Sequence, residues 1–339
     1  MDILFIGGTG LTSSACSELT LQQGHDLTLV NRAASSKYAT PEGARVISVD
    51  VHADENALAR ELQGRRFDAV VDWIAFHPGD IERDLRLFAG RTEQFVFIGS
   101  ASAYQKPPRS YLITEDTPLE NPFWDYSRNK IACEERLLQA HGERGFPVTI
   151  IRPSHTYGPS QIPVMLGSWQ HPYTAIDRMK RRRKIIVPGD GTSLWVLTWN
   201  ADFAVGLVGL FGRNDAIGEA FQITSDEVLT WDQICEETAR AAGVEADIVH
   251  VPTDLIVAYD PHAFGSLIGD KANSVVFDNS KIKRFVPEFE CKVTWAEGVR
   301  RSLAWFEADP TRRTIDEGAN RVWDTILDAY LPAFPKPHD

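Results

Sequence analysis

The sequence predicts an α/β protein, a doubly wound parallel sheet followed by a smaller mixed α/β C-terminal region. Three observations carry that prediction. Short, almost continuously apolar runs recur through the first half and are separated by helix-type patterns, as in a parallel sheet covered on both faces. The first of these runs, residues 3–6, feeds directly into the glycine turn Gly7-Gly8-Thr9-Gly10-Leu11-Thr12-Ser13. Beyond residue 160 the alternation gives way to stretches punctuated by Pro, Trp and Gly.

Taken in order, the glycine turn lets the backbone approach a pyrophosphate, and the helix it opens offers unpaired N–H groups and a positive dipole end. A dinucleotide is the expected ligand. The helix, running to residue 24, carries apolar Leu11, Ala15, Leu19 and Leu21. Strands over 26–30, 45–49, 67–71, 94–98 and 148–151, and helices over 55–63, 81–89 and 126–142, continue the pattern. These elements predict a dinucleotide-binding Rossmann domain over 1–160, with 196–225 packing back on it. Residues 161–339 are expected to form a substrate-binding cap, with helices around 231–242 and 295–308 and a loose Pro-rich tail from 331.

At 339 residues and 43% hydrophobic, the chain can bury a sizeable core. Its formal net charge of -12 disfavours general nucleic-acid binding. The four cysteines, Cys16, Cys133, Cys235 and Cys291, are far apart and signal neither a disulfide framework nor a zinc site, so no metal is expected. The first strand begins at once, without a leader, and no apolar run approaches the roughly 18 residues of a membrane helix. A soluble, cytoplasmic protein with no membrane partner is the expectation.

Ligands of open parallel sheets bind at the carboxyl ends of the strands. Gly7, Thr9, Gly10, Leu11 and Thr12 are therefore expected at the cofactor. After the second strand stand Asn31 and Arg32, with Ser35, Ser36 and Lys37 following. A guanidinium and hydroxyls suit a 2′-phosphate, which favours NADP over NAD; alternatively, Arg32 stacks on adenine or faces water. Asp50 and Val51 suit the adenine edge, residues 72–77 including Ile74 wall the cofactor's middle, and Pro153 completes the set. His77 is a candidate substrate contact, although a loop histidine with no identified partner is more often structural.

The chemistry-bearing pattern follows. One strand ends in Gly99-Ser100-Ala101-Ser102, and the next helix carries Tyr126 and Lys130, which at i and i+4 share a face. An ammonium at roughly 4 Å, in an effective dielectric of about 20, is worth up to about 4 kcal/mol, or near three pKa units. That would make Tyr126 a usable acid or base.

The spacing Gly7-x-x-Gly10-x-x-Ser13, with Ser100, Tyr126 and Lys130, resembles the extended short-chain dehydrogenase/reductase family of the NAD-dependent epimerase/dehydratase type. Arg152-Pro153-Ser154-His155-Thr156-Tyr157-Gly158-Pro159 and Pro188-Gly189-Asp190-Gly191 resemble further segments of that family. The resemblance implies an NAD(P)-dependent oxidoreductase or epimerase acting on a secondary alcohol or ketone of a sugar. Tyr126 is then the proton donor or acceptor, Lys130 its electrostatic partner and ribose anchor, and Ser100 the hydroxyl orienting the substrate oxygen, with Ser102 the alternative. It also implies a homodimer built through long helices, the one carrying Tyr126 among them.

The departures from the pattern concern the substrate. Family members acting on nucleotide-diphosphate sugars have Asn where His155 stands, and an Arg shortly after the Gly-Asp-Gly turn, where this chain has Thr192-Ser193-Leu194-Trp195-Val196. A free or simply modified sugar is expected instead, with Trp195, Trp199 and Trp169 either stacking surfaces or core. Ser102 replaces a dehydratase glutamate, which places dehydration below epimerisation or redox. Two rival functions remain: an NADPH-dependent reductase of a non-sugar carbonyl, and a non-catalytic nucleotide- or RNA-binding member. The basic run Lys180-Arg181-Arg182-Arg183-Lys184 bears on the last, but reads better as a solvated helix end. Glu134 and Glu135 are expected to pair with Arg128 or neighbouring bases.

Overall fold

The computed structural model describes residues 1–32 and 37–334, so Ser35, Ser36 and residues 335–339 lie outside it. The first half alternates as expected: β1 (Asp2–Ile6), α1 (Ser13–Gln22), β2 (Asp26–Asn31), β3 (Arg45–Ser48), α2 (Glu55–Glu61), β4 (Ala69–Asp72), α3 (Pro78–Phe88) and β5 (Phe95–Ile98). A short β6 (Leu112–Ile113), the long α4 (Asp125–Arg144), β7 (Val148–Pro153) and β8 (His155–Tyr157) follow. Next come α5 (Tyr173–Lys180), β9 (Ile185–Pro188), β10 (Leu194–Trp199), α6 (Asn200–Val208) and β11 (Ala220–Ile223).

Seven strands form one sheet in the order β11-β7-β5-β4-β1-β2-β3, all pairs parallel. The reversal of strand order beside β1 opens a crevice at the strands' carboxyl ends. β4 and β5 are buried along their whole length, as strands covered on both faces must be. Between residues 196 and 225, α6 lies on α1, and β11 adds the edge strand beside β7. The smaller region contains β12 (Val228–Thr230), α7 (Trp231–Ala241), β13 (Ile248–Val251) and β14 (Val276–Phe277), with further helices over Trp295–Glu307 and Glu317–Tyr330. Its small sheets, β12-β10-β8, β13-β9 and β14-β6, surround a core rich in tryptophan, including Trp195, Trp231 and Trp295.

α1 differs from its expected packing. The buried side is made of Ser13, Ser14, Cys16, Ser17 and Thr20, while Leu19 and Leu21 are only half-buried. Short side chains let α6 come close, and their hydroxyls are satisfied locally: Ser17 donates to the Gly8 carbonyl at 2.8 Å and Thr20 to that of Cys16 at 2.7 Å.

The basic run lies at the solvated end of α5, as expected, and four of its five cations form ion pairs there: Lys180 with Glu307, Arg181 with Asp177, Arg183 with Asp324 and Lys184 with Asp247. Three of these pairs tie the end of α5 to later segments. All four cysteines are unbridged, and among the described residues no cluster of His, Cys, Asp and Glu could hold a metal ion. No described helix is long and apolar enough to cross a membrane.

Candidate active site

The glycine turn is shaped by its backbone. Gly8 has φ +102°, and a Cβ there would stand 2.6 Å from Leu29 Cδ2, so a side chain meets both strain and a clash. Ser13, the third small residue, closes the loop by accepting from Gly10 N at 2.8 Å. Across the crevice, Asn200 donates to the Leu11 carbonyl at 2.8 Å, a lock that no local pattern in the sequence announces.

This turn borders a cavity of about 770 Å³. Gly7, Thr9, Gly10, Leu11 and Thr12 line it, as do Asn31 and Arg32 after β2, Asp50 and Val51 after β3, Ile74 after β4, Lys130 and Pro153. All twelve positions expected at the cofactor thus converge on one space. Ile74 is positioned by Asp72, whose Oδ1 accepts from the backbone N–H of Ile74 and of Ala75 at 2.6 and 2.8 Å. Arg83 holds the other Asp72 oxygen at 2.7 Å in a fully buried pair. Arg32 is 72% exposed, with its guanidinium 3.9 Å from the Asp50 carboxylate.

A second cavity, of about 720 Å³, adjoins the first. Tyr126, Phe76, Pro153, Ser154, Thr156 and Trp169 line both. Ser100, Ser102, His155 and Trp195 line the second. Ser127 donates to Ser102 Oγ at 2.8 Å, and Ser102 and Ser100 share a hydrogen bond at 2.9 Å, forming a chain of three hydroxyls. Burial pushes the Tyr126 phenol above its ordinary pKa, while a hydrogen bond with Ser100 acts in the opposite direction.

Two expectations are corrected here. The ammonium of Lys130 makes no hydrogen bond with Tyr126: it lies 5.9 Å from that ring's centre and donates to the carbonyls of Ala75 and Ile98, each at 2.7 Å. The cation is drawn into the strand ends, and burial brings its pKa down to about 8. His77 lines neither cavity. It is exposed at the start of α3, where its backbone N–H donates to the capping carboxylate of Asp80 at 3.0 Å.

Behind Ser100 lies a buried ion pair that the sequence left open. Arg152 donates to Glu134 at 2.8 and 3.0 Å, so Glu134 does not pair with Arg128, which meets Asp125 instead. A Cβ on Gly99 would stand 2.5 Å from the Glu134 carboxylate, so the pair presses against the bare backbone beside Ser100. Of the three tryptophans, Trp199 is core against Tyr157, Trp169 is 66% exposed at both cavities, and Trp195 is buried in the wall of the second.

That second wall holds three buried polar atoms without a protein partner: His155 Nε2, Thr156 Oγ1 and Trp195 Nε1. An unmatched buried donor or acceptor costs about 1–3 kcal/mol, so such atoms are retained where a ligand or water completes them. His155 is held neutral, its pKa brought down to about 3 by burial and by the Lys271 charge.

A doubly wound parallel sheet with a glycine-turn cavity, adjoined at Tyr126 by a second cavity, is the architecture of dinucleotide-binding α/β proteins. The chain belongs to the NAD dependent epimerase/dehydratase family, whose model matches residues 3–224. Among curated relatives, it is 28% identical over 261 residues to the chloroplast stem-loop binding protein of 41 kDa b of Arabidopsis thaliana. That match takes in 73% of this chain and 65% of the relative, so the chain spans about two thirds of the relative's length. It is 22% identical to a UDP-N-acetyl-alpha-D-glucosaminuronate decarboxylase of Bacillus cytotoxicus, over 89% of this chain and 97% of that one.

Solved structures share the fold. An epimerase of Methanothermobacter thermautotrophicus superposes with a TM-score of 0.73 at 19% identity, covering 96% of this chain and 94% of its own. The UDP-glucose 4-epimerase of Bifidobacterium longum, in complex with NAD+ and UDP, does so with a TM-score of 0.71 at 18% identity, covering 92% of this chain and 100% of its own. NAD also accompanies the UDP-glucuronic acid 4-epimerase of Bacillus cereus, with a TM-score of 0.70 at 18% identity, covering 91% of this chain and 99% of its own. These complexes give no support to the expected preference for NADP.

Proposed function

We propose that the protein is an NAD-dependent oxidoreductase or epimerase acting on a secondary alcohol or ketone of a sugar or sugar derivative, with Tyr126 as acid and base. The observation that carries this reading is the position of Tyr126. It lies at the junction of the two cavities, within hydrogen-bonding reach of Ser100.

Gly7, Gly10 and the start of α1 would hold the pyrophosphate, Asp50 and Val51 the adenosine end, and Lys130 a ribose. The Asp50 carboxylate beside Arg32 already supplies the guanidinium with an anion, which favours NAD over NADP at this end. Bound there, NAD supplies the hydride acceptor and a cationic ring. Tyr126, whose phenol burial keeps protonated, donates that proton to a carbonyl oxygen; in the reverse direction it acts only after losing the proton, the phenolate then taking it from the substrate hydroxyl. Ser100, fed by the Ser102 and Ser127 hydroxyls, orients that oxygen. The long α4 is a candidate face for a homodimer.

The experiment is to denature the purified protein, identify any released nucleotide by mass, and incubate the native protein with neutral and acidic hexoses while following interconversion by chromatography. Stoichiometric NAD together with conversion that needs Tyr126 is the expected result. Released NADP would overturn the cofactor assignment, and conversion independent of Tyr126 the mechanism. The RNA-binding reading, prompted by the plastid relative, loses its candidate surface because most of the cations at 180–184 are paired.

A further inference from the structure

The second cavity contains one ammonium that no carboxylate of the described residues contacts. Two lysines, Lys106 and Lys271, and two aspartates, Asp260 and Asp270, line it, and no arginine does among the described residues. The Lys106 ammonium, almost wholly buried, lies 3.8 Å from Asp270. Asp260 caps a short turn, accepting from His262 N at 3.2 Å. The ammonium of Lys271 makes no ion pair or hydrogen bond with any described residue. Trp195, only 2% exposed and with Nε1 unpartnered, lines the same cavity, as does His155, whose Nε2 is unpartnered and whose ring lies within electrostatic reach of Lys271.

The lysine is held in place by a built support. It closes a π-helical turn, Leu267–Lys271, a geometry enriched at functional sites. Trp231 donates to the Lys271 carbonyl at 3.1 Å and stacks on Trp195 at 5.2 Å. Asn121 donates both to the Gly269 carbonyl of this turn, at 2.6 Å, and to the Ser102 carbonyl, at 2.7 Å, so the turn is tied to the strand end that carries Ser100.

We propose that the substrate is a sugar acid, and that Lys271 binds its carboxylate with the Trp195 indole N–H and His155 alongside. This rests on reading the site as that of a sugar oxidoreductase. One ammonium without a contacting carboxylate can accept one carboxylate from a ligand. A diphosphate would bring more negative charge to a wall that already holds Asp260 and Asp270 and lacks a guanidinium. The turn over 189–191 offers no substitute, since Thr192 there bonds to Asp190 at 2.7 Å. Asp270 lies within electrostatic reach of both Tyr126 and Lys271, which keeps the anion close to the reacting end of the ligand. Burial lowers the Lys271 pKa, and a bound carboxylate acts in the direction that restores it.

The test is calorimetric titration of the NAD-saturated protein with D-glucuronate, D-glucose and UDP-glucose. Glucuronate is expected to bind at least tenfold more tightly than glucose. Lys271→Met should remove that difference, whereas Lys271→Arg should keep most of it. Three results would overturn the proposal: wild-type protein that binds glucuronate no better than glucose, an acid preference that survives Lys271→Met, or UDP-glucose as the tighter, Lys271-dependent ligand. The first is read on the wild-type chain alone, so it does not depend on a variant folding. Failure of the underlying reading appears elsewhere, as absence of released dinucleotide or as sugar conversion without Tyr126.

Discussion

The first cavity is built around a backbone feature, the glycine turn over 7–13, with its loop closed by Ser13. The second has no such turn: its lining comes from segments as distant as Ser100, His155, Trp195 and Lys271, and several of its polar side-chain atoms lack partners. A backbone site is set by folding and suits a ligand common to many proteins. A side-chain site with unmatched groups leaves choices that individual substitutions can alter, and it gives up some stability to do so.

The largest effect that would break this contrast is at the shared tyrosine. Tyr126→Phe should lower turnover by about 10³-fold while leaving nucleotide binding intact, because only proton transfer is removed. Steady-state kinetics beside nucleotide titration check this, and a parallel loss of both would make Tyr126 part of the nucleotide cradle instead. Next is the buried Arg152–Glu134 pair behind Ser100. Arg152→Met strands the Glu134 carboxylate and should cost about 3–5 kcal/mol in chemical denaturation, disturbing both cavities together.

Lys130 sharpens the description of the first cavity through pH. Its folded pKa of about 8 lies below the ordinary 10.5. Between those values the unfolded chain retains a proton that the folded chain has released, so stability rises with pH. Relative to Lys130→Met, the nucleotide-free wild type should gain up to about 3 kcal/mol between pH 8 and 10.5, followed by urea melts. A flat difference would mean that the carbonyls of Ala75 and Ile98 fully compensate the ammonium's burial. The smallest effect probes the second cavity: Thr156→Val removes an unpartnered buried hydroxyl and should raise stability by about 1 kcal/mol while weakening sugar binding. Loss of stability instead would show that the hydroxyl is already satisfied.

The same division explains what could be read from the sequence. The glycine turn and the strands β1 to β5 announce themselves within a few residues, because strand, turn and helix start are local patterns. The topology rule for parallel sheets then places Asn31, Asp50, Ile74 and Pro153 around one crevice. The second cavity has no such rule. Lys271 sits on a π-helical turn with no local signature, and its importance arises only because Trp231, Trp195 and Asn121 hold that turn against residues far away in sequence. Lys130 was found at the right position but with the wrong contact, since spacing along a helix fixes a shared face and not where a flexible ammonium settles. His77 failed for a simpler reason: a capped helix start turns it to solvent.

Six residues, Phe76, Tyr126, Pro153, Ser154, Thr156 and Trp169, belong to both cavities. A partition with a ligand on either side makes each ligand a part of the other's container. Whatever arrangement of Trp169 and its neighbours the nucleotide selects is the arrangement the sugar then meets, and the reverse holds by the same factor. On the proposed reading the two affinities are thermodynamically linked, and a sugar titration run without nucleotide is expected to give a different affinity.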